Sequence, residues 1–416
     1  MPKKVHFPTF DAGAIQPFGA LNERGAASHG RLSEIGVLVG LMLFTPLIEG
    51  GTTHLPVMII RLLLVVGLAL WIVRSFRSGA ITLYRIPLLS LVAIFVGVSG
   101  LGIFHSSYVG ASIQGVVGLF MYAVFMLLLL HQLYTRSSLR NLVMVIVLMG
   151  LFEGMVGIVQ YGWMGEARAR GTFFNPNFFA TYEAVTIILT LSLLVWMKWA
   201  EHSWMEKGLL GVTLGISLPA FVLAQSRGGF IAFLVALLFL GLCRSWKLAL
   251  LLPLVVILGA IVLPNPIKER ALAVSEQDPY AYTRLEIWKS SLDRIVDHPF
   301  GTGLGTYKYL SFKYRFPTEE AIVRYEKRAE SAHNEYLQMA VELGVGGLAL
   351  FVVGIGVWGW DVKGALQSRL SSWERGAVVG LSGSALAIVV HASVDSVFHE
   401  PALVLLLIMC GSLVVV

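Results

Sequence analysis

The sequence predicts an all-α polytopic membrane protein, and three observations support this prediction. Of the 416 residues, 56% are hydrophobic. Only 13% are charged, whereas soluble domains carry roughly 25%. Apolar runs recur that are long enough to cross a hydrocarbon core of ~30 Å. They predict about twelve transmembrane helices, near residues 34–49, 56–74, 86–104, 113–132, 141–161, 178–198, 208–225, 228–243, 247–263, 335–358, 376–395 and 400–416.

The predicted spans divide the chain into four parts. An N-terminal segment, residues 1–33, precedes nine spans in residues 34–263. A long polar connection, residues 264–334, separates these from three further spans in residues 335–416. The N-terminal segment is polar and has no small-residue cleavage site, so we expect the first span to be a retained anchor rather than a signal peptide.

Lys and Arg residues concentrate in alternate loops. If the N-terminus is cytoplasmic, the short loops on the opposite face hold only Arg168, Arg170 and Arg227. Positive-inside bias then predicts that both termini are cytoplasmic and that the long connection lies on the outer face. The same bias explains the net charge of +6, so we expect no nucleic-acid partner. The two cysteines, Cys243 and Cys410, form no disulfide framework and no CxxC pair.

The long connection has a helical pattern in its middle. Leu285, Trp288, Leu292 and Ile295 recur at helical spacing, which predicts an amphipathic helix that lies on the membrane or packs on the mouth of the bundle. The segment PFGTGLGTY follows. Its alternating glycines favour a turn with positive φ over a phosphate-binding loop.

The loop after the fifth span carries polar residues just before an apolar helix. It reads GEARARGTFFNPNFFATYEA and includes Arg168, Arg170, Asn175 and Asn177. Either asparagine is a candidate N-cap for the next helix, and both are also candidate substrate-binding residues. Two cations on the disfavoured side of the membrane indicate an anionic partner, with Arg170 the stronger candidate.

Three more polar features lie on the same predicted face. Arg227 occupies a very short connection in AQSRGG, where it either snorkels to headgroups or binds a ligand. Arg284 lies in the first turn of the predicted loop helix, where a surface ion pair is the alternative. His333, Asn334 and Glu335 begin a span in SAHNEYLQ. Asn334 and Glu335 are candidates to orient the imidazole or to begin the helix.

These residue types suit group transfer from a diphosphate carrier. Guanidinium groups match phosphate oxygens, and an imidazole can take a proton from a hydroxyl. The outer-face carboxylates are spread along the chain, and neither HExxH nor DxD occurs. We therefore expect arginine to neutralise the leaving diphosphate, with no metal and no other cofactor.

Two other classes are compatible with many spans. A lipid or solute transporter keeps ionisable residues near the bilayer midplane. The deep candidates are Arg61, Glu153, Glu183, His391 and Asp395. His391 and Asp395 share a helix face near the outer end of the eleventh predicted span; we expect them to pair with each other, with a proton relay as the alternative. A purely structural membrane protein would leave the clustered outer arginines unexplained.

Four segments resemble, in order, the successive motifs of the O-antigen ligase and O-antigen polymerase superfamily. They are GTFFNPNFFA, AQSRGGFIAF, TRLEIWKSSLDRIVDHPFGTGLGTY and AHNEYLQMAVELGVGG. The resemblance implies a bilayer-embedded, GT-C-like glycosyltransferase of the bacterial inner membrane, with its active site facing the periplasm. Such an enzyme moves a glycan from undecaprenyl diphosphate to an acceptor sugar. The acceptor is lipid A core for ligases, another repeat unit for polymerases, and a protein such as pilin for related members.

The resemblance also implies roles for individual residues. By motif, His333, Arg227 and Arg284 correspond to the catalytic residues, and Arg170 assists in substrate binding. We favour a ligase because a single large loop, with an Arg near its start and a His at its end, matches that subfamily. We expect an inverting displacement with His333 as general base, carried out by a monomer.

Overall fold

The computed structural model describes residues 9–11, 28–78, 80–82, 86–132, 136–262, 266, 279–310 and 329–415. Helices α1 to α14 within these ranges are, in order, Ser28–Leu47, His54–Ser78, Pro87–Leu101, Val109–Gln132, Arg136–Gly162, Pro176–Trp196, Trp204–Leu223, Arg227–Arg244, Trp246–Val262, Pro279–Asp297, Tyr307–Leu310, Glu335–Gln367, Ser372–His391 and Pro401–Val415. Short 3-10 helices are Glu49–Gly51, Gly102–His105, Trp199–Glu201 and Val397–His399. Two three-residue strands, β1 (Thr9–Asp11) and β2 (Ala80–Thr82), pair in parallel.

The helices confirm the predicted all-α polytopic membrane fold. Among the described residues, nine helices are long and apolar enough to cross a membrane, namely α2 to α8, α12 and α13. Three shorter apolar helices, Ile35–Leu47, Trp246–Val262 and Pro401–Val414, correspond to the first, ninth and last predicted spans. The division into four parts stays a prediction. Most of the N-terminal segment 1–33 and much of the connection 264–334 lie outside the described residues.

Helices α6 and α13 form the buried centre of the bundle. Small residues on α13 let the two backbones approach, as is common between membrane helices. A Cβ atom at Gly380 would lie 2.9 Å from Leu189 Cδ1, and Ser192 Oγ donates a hydrogen bond to the Gly376 carbonyl at 2.7 Å. The pairing is antiparallel, so the start of α6 lies beside the end of α13. The candidate site lies at this end.

Helix α10 confirms the helix predicted in the long connection, but only part of the predicted apolar stripe packs on the bundle. Leu285 and Leu292 are 55% and 54% exposed, whereas Ile287 and Arg294 are buried. The reason is that the inner face of α10 has a polar anchor. The Arg294 guanidinium stacks on the Tyr307 ring at 4.3 Å from its centroid and donates to the Tyr307 carbonyl at 3.2 Å.

The glycine-rich turn after α10 packs into a break in α12. The three glycines of this turn have positive φ, as predicted. Helix α12 is interrupted at Gly344, with φ 72° and ψ 179°, so the carbonyl groups of Val341 and Glu342 accept hydrogen bonds from outside the helix. The amide groups of Thr302 and Gly303 donate to them at 2.9–3.1 Å. The long connection and α12 are therefore joined by backbone hydrogen bonds.

Glu400 is a fully buried carboxyl group at the start of α14. Within the described part of the chain, neither of its carboxylate oxygens has a hydrogen-bond partner. Burial, together with the negative charge of Glu49, raises the pKa of Glu400 to about 8. The folded protein therefore holds this proton more tightly than the unfolded chain, and its stability falls as the proton is lost.

We expect the pH dependence of stability to reveal this buried acid. The contribution of Glu400 is fully present below its ordinary pKa of 4.5 and is lost as pH rises through about 8. Glu400→Gln cannot ionise and should lose less stability over this window. The expected difference in melting temperature at pH 9 is at least about 2–4 °C. Thermal unfolding in detergent at pH 5, 7 and 9 measures it, and an unchanged pH dependence in the variant would contradict the assignment.

Candidate functional site

The candidate site is built around the carboxylate of Asp395, which lies between α13 and α14 and is 2% exposed. Its Oδ1 atom accepts hydrogen bonds from His333 Nδ1 at 3.2 Å and from the Ser396 amide at 2.9 Å. Its Oδ2 atom accepts from Asn177 Nδ2 at 2.6 Å and faces Arg284 Nη2 at 3.5 Å. One carboxylate therefore joins α6, α10 and the segment before α12.

Asp395 is ionised at neutral pH. Burial alone would raise its pKa, but the hydrogen bonds from His333 and the Ser396 amide and the positive charge of Arg284 outweigh burial and hold the pKa of Asp395 well below its usual range. A carboxylate can only accept, so the Nδ1 atom of His333 carries the proton in this contact. The Nε2 atom of the neutral imidazole is then the atom that can accept a proton.

The backbone on either side of the imidazole is held in place. His333 has a φ of 47°, an uncommon conformation for a residue with a side chain, and such strain persists only where the surroundings impose it. Trp288 Nε1 of α10 donates to the Ala332 carbonyl at 3.0 Å. Ser331 and Ser396 join through their hydroxyl groups at 2.7 Å. The His333 side chain remains 40% exposed, so it is fixed in orientation and open to a ligand.

Asn334 and Glu335, predicted to orient the imidazole, contact other groups. Asn334 is the N-cap of α12 and accepts hydrogen bonds from two backbone amide groups of the first turn, which was the alternative prediction. Glu335 accepts from the Phe398 amide at 2.8 Å and from His399 Nδ1 at 3.3 Å. The structure therefore gives the orienting contact with His333 to Asp395.

The two asparagines before α6 have different contacts. Asn175 is the N-cap of α6, and its side chain accepts a hydrogen bond from the Asn177 amide at 2.9 Å. Capping accounts for Asn175, as the alternative prediction held. The Asn177 side chain instead reaches Asp395. Only the second asparagine joins the cluster.

The two arginines of the same loop also differ. Arg168 Nη2 donates to Asn177 Oδ1 at 2.8 Å, and Arg168 Nε donates to the Ala224 carbonyl at 2.9 Å. Arg170, the stronger candidate from sequence, has a side chain that is 44% exposed and lies 3.5 Å from Glu166. Arg168 is therefore built into the cluster, whereas the Arg170 side chain contacts Glu166.

Arg227 begins α8 directly against the segment that holds Asp395. The preceding Ser226 caps α8 with its hydroxyl group. A Cβ atom at Gly228 would lie 2.8 Å from His391 Nε2 and 2.9 Å from Val394 Cγ2, so only glycine permits this approach. The hairpin that carries Arg227 is thus positioned at the same end of the bundle as His333 and Arg284, as the alternation of predicted loops implied.

Asp395 is the residue whose role the sequence reasoning missed, because it was expected to pair with His391. Helix α13 ends at His391, so the two residues do not share a continuous helix face. His391 Nδ1 instead contacts Thr181 Oγ1 at 2.5 Å. The available signal was the position of Asp395 at the end of a predicted span, on the same predicted face as His333.

A cavity of about 500 Å³ lies between α3, α4, α12 and α14, within the range of about 300–1,000 Å³ that small-molecule sites occupy. Glu335, Gln338 and His399 line its polar end. Burial would lower the pKa of His399, but the hydrogen bond and charge of Glu335 raise it. The remaining wall is largely aliphatic and aromatic, and includes Leu91, Val92, Phe95, Leu119, Leu350, Phe351, Ile355, Leu407 and Ile408.

The arrangement offers acid–base chemistry beside anion-binding groups. His333 presents one ring nitrogen to a ligand, and Arg284, with a side chain 36% exposed, has guanidinium donors beyond its long contact to Asp395. In the part of the chain that the structure describes, no group of three or more His, Cys, Asp and Glu side chains is arranged to hold a metal ion. The site can bind an anion and take a proton from a neighbouring hydroxyl.

The fold and site together define a multi-pass membrane protein with a polar acid–base cluster at one end of its helical bundle. Residues 212–352 match the family model described as O-antigen ligase. This match supports the resemblance of the chain to the O-antigen ligase and O-antigen polymerase superfamily, whose members are glycosyltransferase-like ligases and polymerases. The matched range includes Arg227, Arg284 and His333, whereas Asn177 and Asp395 lie outside it. No curated protein matches the chain.

Proposed function

We propose that this protein transfers a glycan from undecaprenyl diphosphate to a sugar hydroxyl of lipid A core, the O-antigen ligase reaction. The observation that carries the proposal is the contact between His333 and the buried carboxylate of Asp395, with Arg284 on the same carboxylate. The family match supports a ligase or polymerase type of membrane enzyme. In this proposal the site faces the periplasm of a bacterial inner membrane and both termini are cytoplasmic, as the distribution of Lys and Arg favours.

His333 is the general base in this mechanism. Asp395 holds the proton on Nδ1, so Nε2 accepts the proton of the acceptor hydroxyl while its oxygen attacks the anomeric carbon of the donor sugar. The bond between that carbon and the diphosphate oxygen breaks on the opposite face. A single displacement of this kind inverts the anomeric configuration. Asp395 stabilises the imidazolium that forms.

The arginines bind the diphosphate. The contact between Arg284 Nη2 and Asp395 is 3.5 Å long, which leaves the other guanidinium donors available for phosphate oxygens. Arg227 begins α8 at the same end of the bundle, and Arg170 lies in the same loop as Arg168 with a half-exposed side chain. Fixed positive charge at the leaving group stabilises the negative charge that develops there.

The apolar cavity provides a place for part of the donor lipid tail. Its walls are apolar, and its polar end is formed by residues next to those of the site, since Glu335 follows His333 closely and His399 follows Asp395. The raised pKa of His399 favours a cation at this end, which complements a phosphate group.

Changing Arg284 tests the diphosphate contact. We expect Arg284→Ala to lower kcat/KM by about 10–100-fold, the loss typical of one or two hydrogen bonds to a charged group. Arg284→Lys keeps the charge but not the planar fork, so it should restore activity only in part. Initial rates with purified protein in liposomes measure the effect. Arg170→Ala is the matched control, because its exposed side chain predicts a smaller loss.

The reaction itself is tested by reconstitution with a lipid-linked glycan and two acceptors, lipid A core and a second lipid-linked repeat unit. A ligase yields core lipid extended by glycan and releases undecaprenyl diphosphate. Growth of the lipid-linked glycan instead would identify a polymerase, and transfer only to an added pilin would identify a protein O-glycosylase. Movement of lipid across the bilayer without release of undecaprenyl diphosphate would overturn the enzyme proposal in favour of a transporter.

A further inference from the structure

The side-chain amide of Asn177 lies between a cation and the buried carboxylate of the site. Asn177 Oδ1 accepts from Arg168 Nη2 at 2.8 Å, and Asn177 Nδ2 donates to Asp395 Oδ2 at 2.6 Å. Of the contacts to Asp395 Oδ2, the one from Asn177 is shorter by far than the 3.5 Å contact from Arg284. Asn177 therefore holds the oxygen of Asp395 that His333 does not.

The orientation of this amide follows from its two neighbours. A flipped amide would turn its NH₂ group toward the Arg168 guanidinium and its oxygen toward the Asp395 carboxylate. Both contacts would then be repulsive, because they would pair donor with donor and acceptor with acceptor. Arg168 thus fixes the amide with its donor toward Asp395.

Arg168 is in turn anchored on the hairpin between α7 and α8. It donates to the Ala224 carbonyl at 2.9 Å. The neighbouring Ala169 amide donates to the Leu223 carbonyl at 3.0 Å, and Gln225 Nε2 donates to the Ala167 carbonyl at 2.8 Å. The loop and the hairpin therefore form one unit, and the same hairpin leads into Arg227.

We infer that Asn177, held by Arg168, is a positioning residue that fixes the Asp395 carboxylate on the His333 imidazole, and not a substrate-binding residue. This inference rests on the proposed function of the site. A continuous chain of hydrogen bonds runs from the hairpin through Arg168 and Asn177 to Asp395 and His333. All of these contacts lie within the protein, so the inference does not depend on which glycan or acceptor the protein uses.

The charge environment of Asp395 makes the inference measurable. The titratable and charged groups that act on this carboxylate are His333, His391, Arg284 and His399. Without the donor from Asn177, the hydrogen-bonded pair of Asp395 and His333 keeps its proton to a higher pH, because a hydrogen bond that stabilises the charged carboxylate is lost. The acidic limb of the rate profile should therefore move to higher pH.

The test is the pH dependence of kcat for Asn177→Ala in the reconstituted transfer assay. We expect kcat to fall by about 10–100-fold, the acidic limb to shift upward, and the KM for the lipid-linked donor to stay within about twofold. An unchanged kcat and pH profile would overturn the inference. A raised KM with an unshifted profile would also overturn it, because that result indicates a substrate contact.

Two further variants keep the result interpretable. Arg168→Met preserves the aliphatic stem but frees the amide to flip, and should shift the profile in the same direction by a smaller amount. Ser371→Ala removes the N-cap of α13 at the opposite end of the bundle from Asp395, so it should lower the melting temperature and leave the profile unchanged. If Asn177→Ala is active while His333→Ala is inactive, only this inference fails. If His333→Ala is active, the proposed function fails.

Discussion

Replacing His333 with alanine is expected to slow glycan transfer by about 10²–10⁴-fold, the contribution typical of a positioned general base. The imidazole is the group that Asp395 holds at 3.2 Å, and 40% of its side chain remains exposed to a ligand. Removing it leaves the arginines in place, so the donor should still bind. Initial rates with saturating acceptor, together with binding of the lipid-linked donor, measure the two effects separately.

His333→Asn is the matched control for this change. Its amide can donate to Asp395 from nearly the same place as Nδ1, but it cannot accept a proton in the reaction. We therefore expect it to fold like the wild type and to be as inactive as His333→Ala. If either variant kept most of its activity in the purified assay, the assignment of the base would be wrong.

The second large effect is expected for Asp395→Asn, which should lower kcat by about 10²–10⁴-fold. The carboxylate selects the imidazole tautomer with the proton on Nδ1 and stabilises the imidazolium after proton transfer. A neutral amide does neither reliably, because its NH₂ group can face His333. In the opposite orientation, its NH₂ group takes the place of the oxygen that accepts from Asn177 and Arg284. The measurement is kcat over pH 5–9 for protein whose folding is checked by its melting temperature.

Asp395→Glu separates charge from position. It retains a carboxylate but moves it by one methylene, so we expect activity above that of Asp395→Asn and well below the wild type. Equal activity of Asp395→Asn and the wild type would show that the contact between Asp395 and His333 has no part in catalysis, and the base would then need another partner.

The sequence was sufficient to predict the membrane helices. A backbone in hydrocarbon must satisfy its hydrogen bonds internally, so long apolar runs become helices regardless of tertiary contacts. The N-cap residues could also be predicted from the sequence, since Asn175 and Asn334 contact amide groups within three residues of themselves. The prediction of an apolar stripe on α10 was only partly correct, because Arg294, and not Leu285 or Leu292, lies buried on the inner face of the helix.

The contacts of the site could not be read from local patterns. Asp395 lies 62 residues after His333 and 218 residues after Asn177, and nothing in the neighbourhood of either residue indicates that pairing. Arg168 and Arg170 stand two positions apart in the same loop, and only the packing of that loop on the Ala224 hairpin decides which one points inward. Alternation of the spans predicted the correct end of the bundle but no individual hydrogen bond.

The position of Asp395 along the chain has a consequence for biogenesis. Synthesis runs from the N-terminus at about 5–20 residues per second, so Asn177, Arg284 and His333 enter the membrane before the carboxylate that joins them exists. Until α13 has been inserted, the imidazole lacks the carboxylate that fixes its tautomer. Under the proposed function, the chain therefore becomes able to transfer glycan only late in translation.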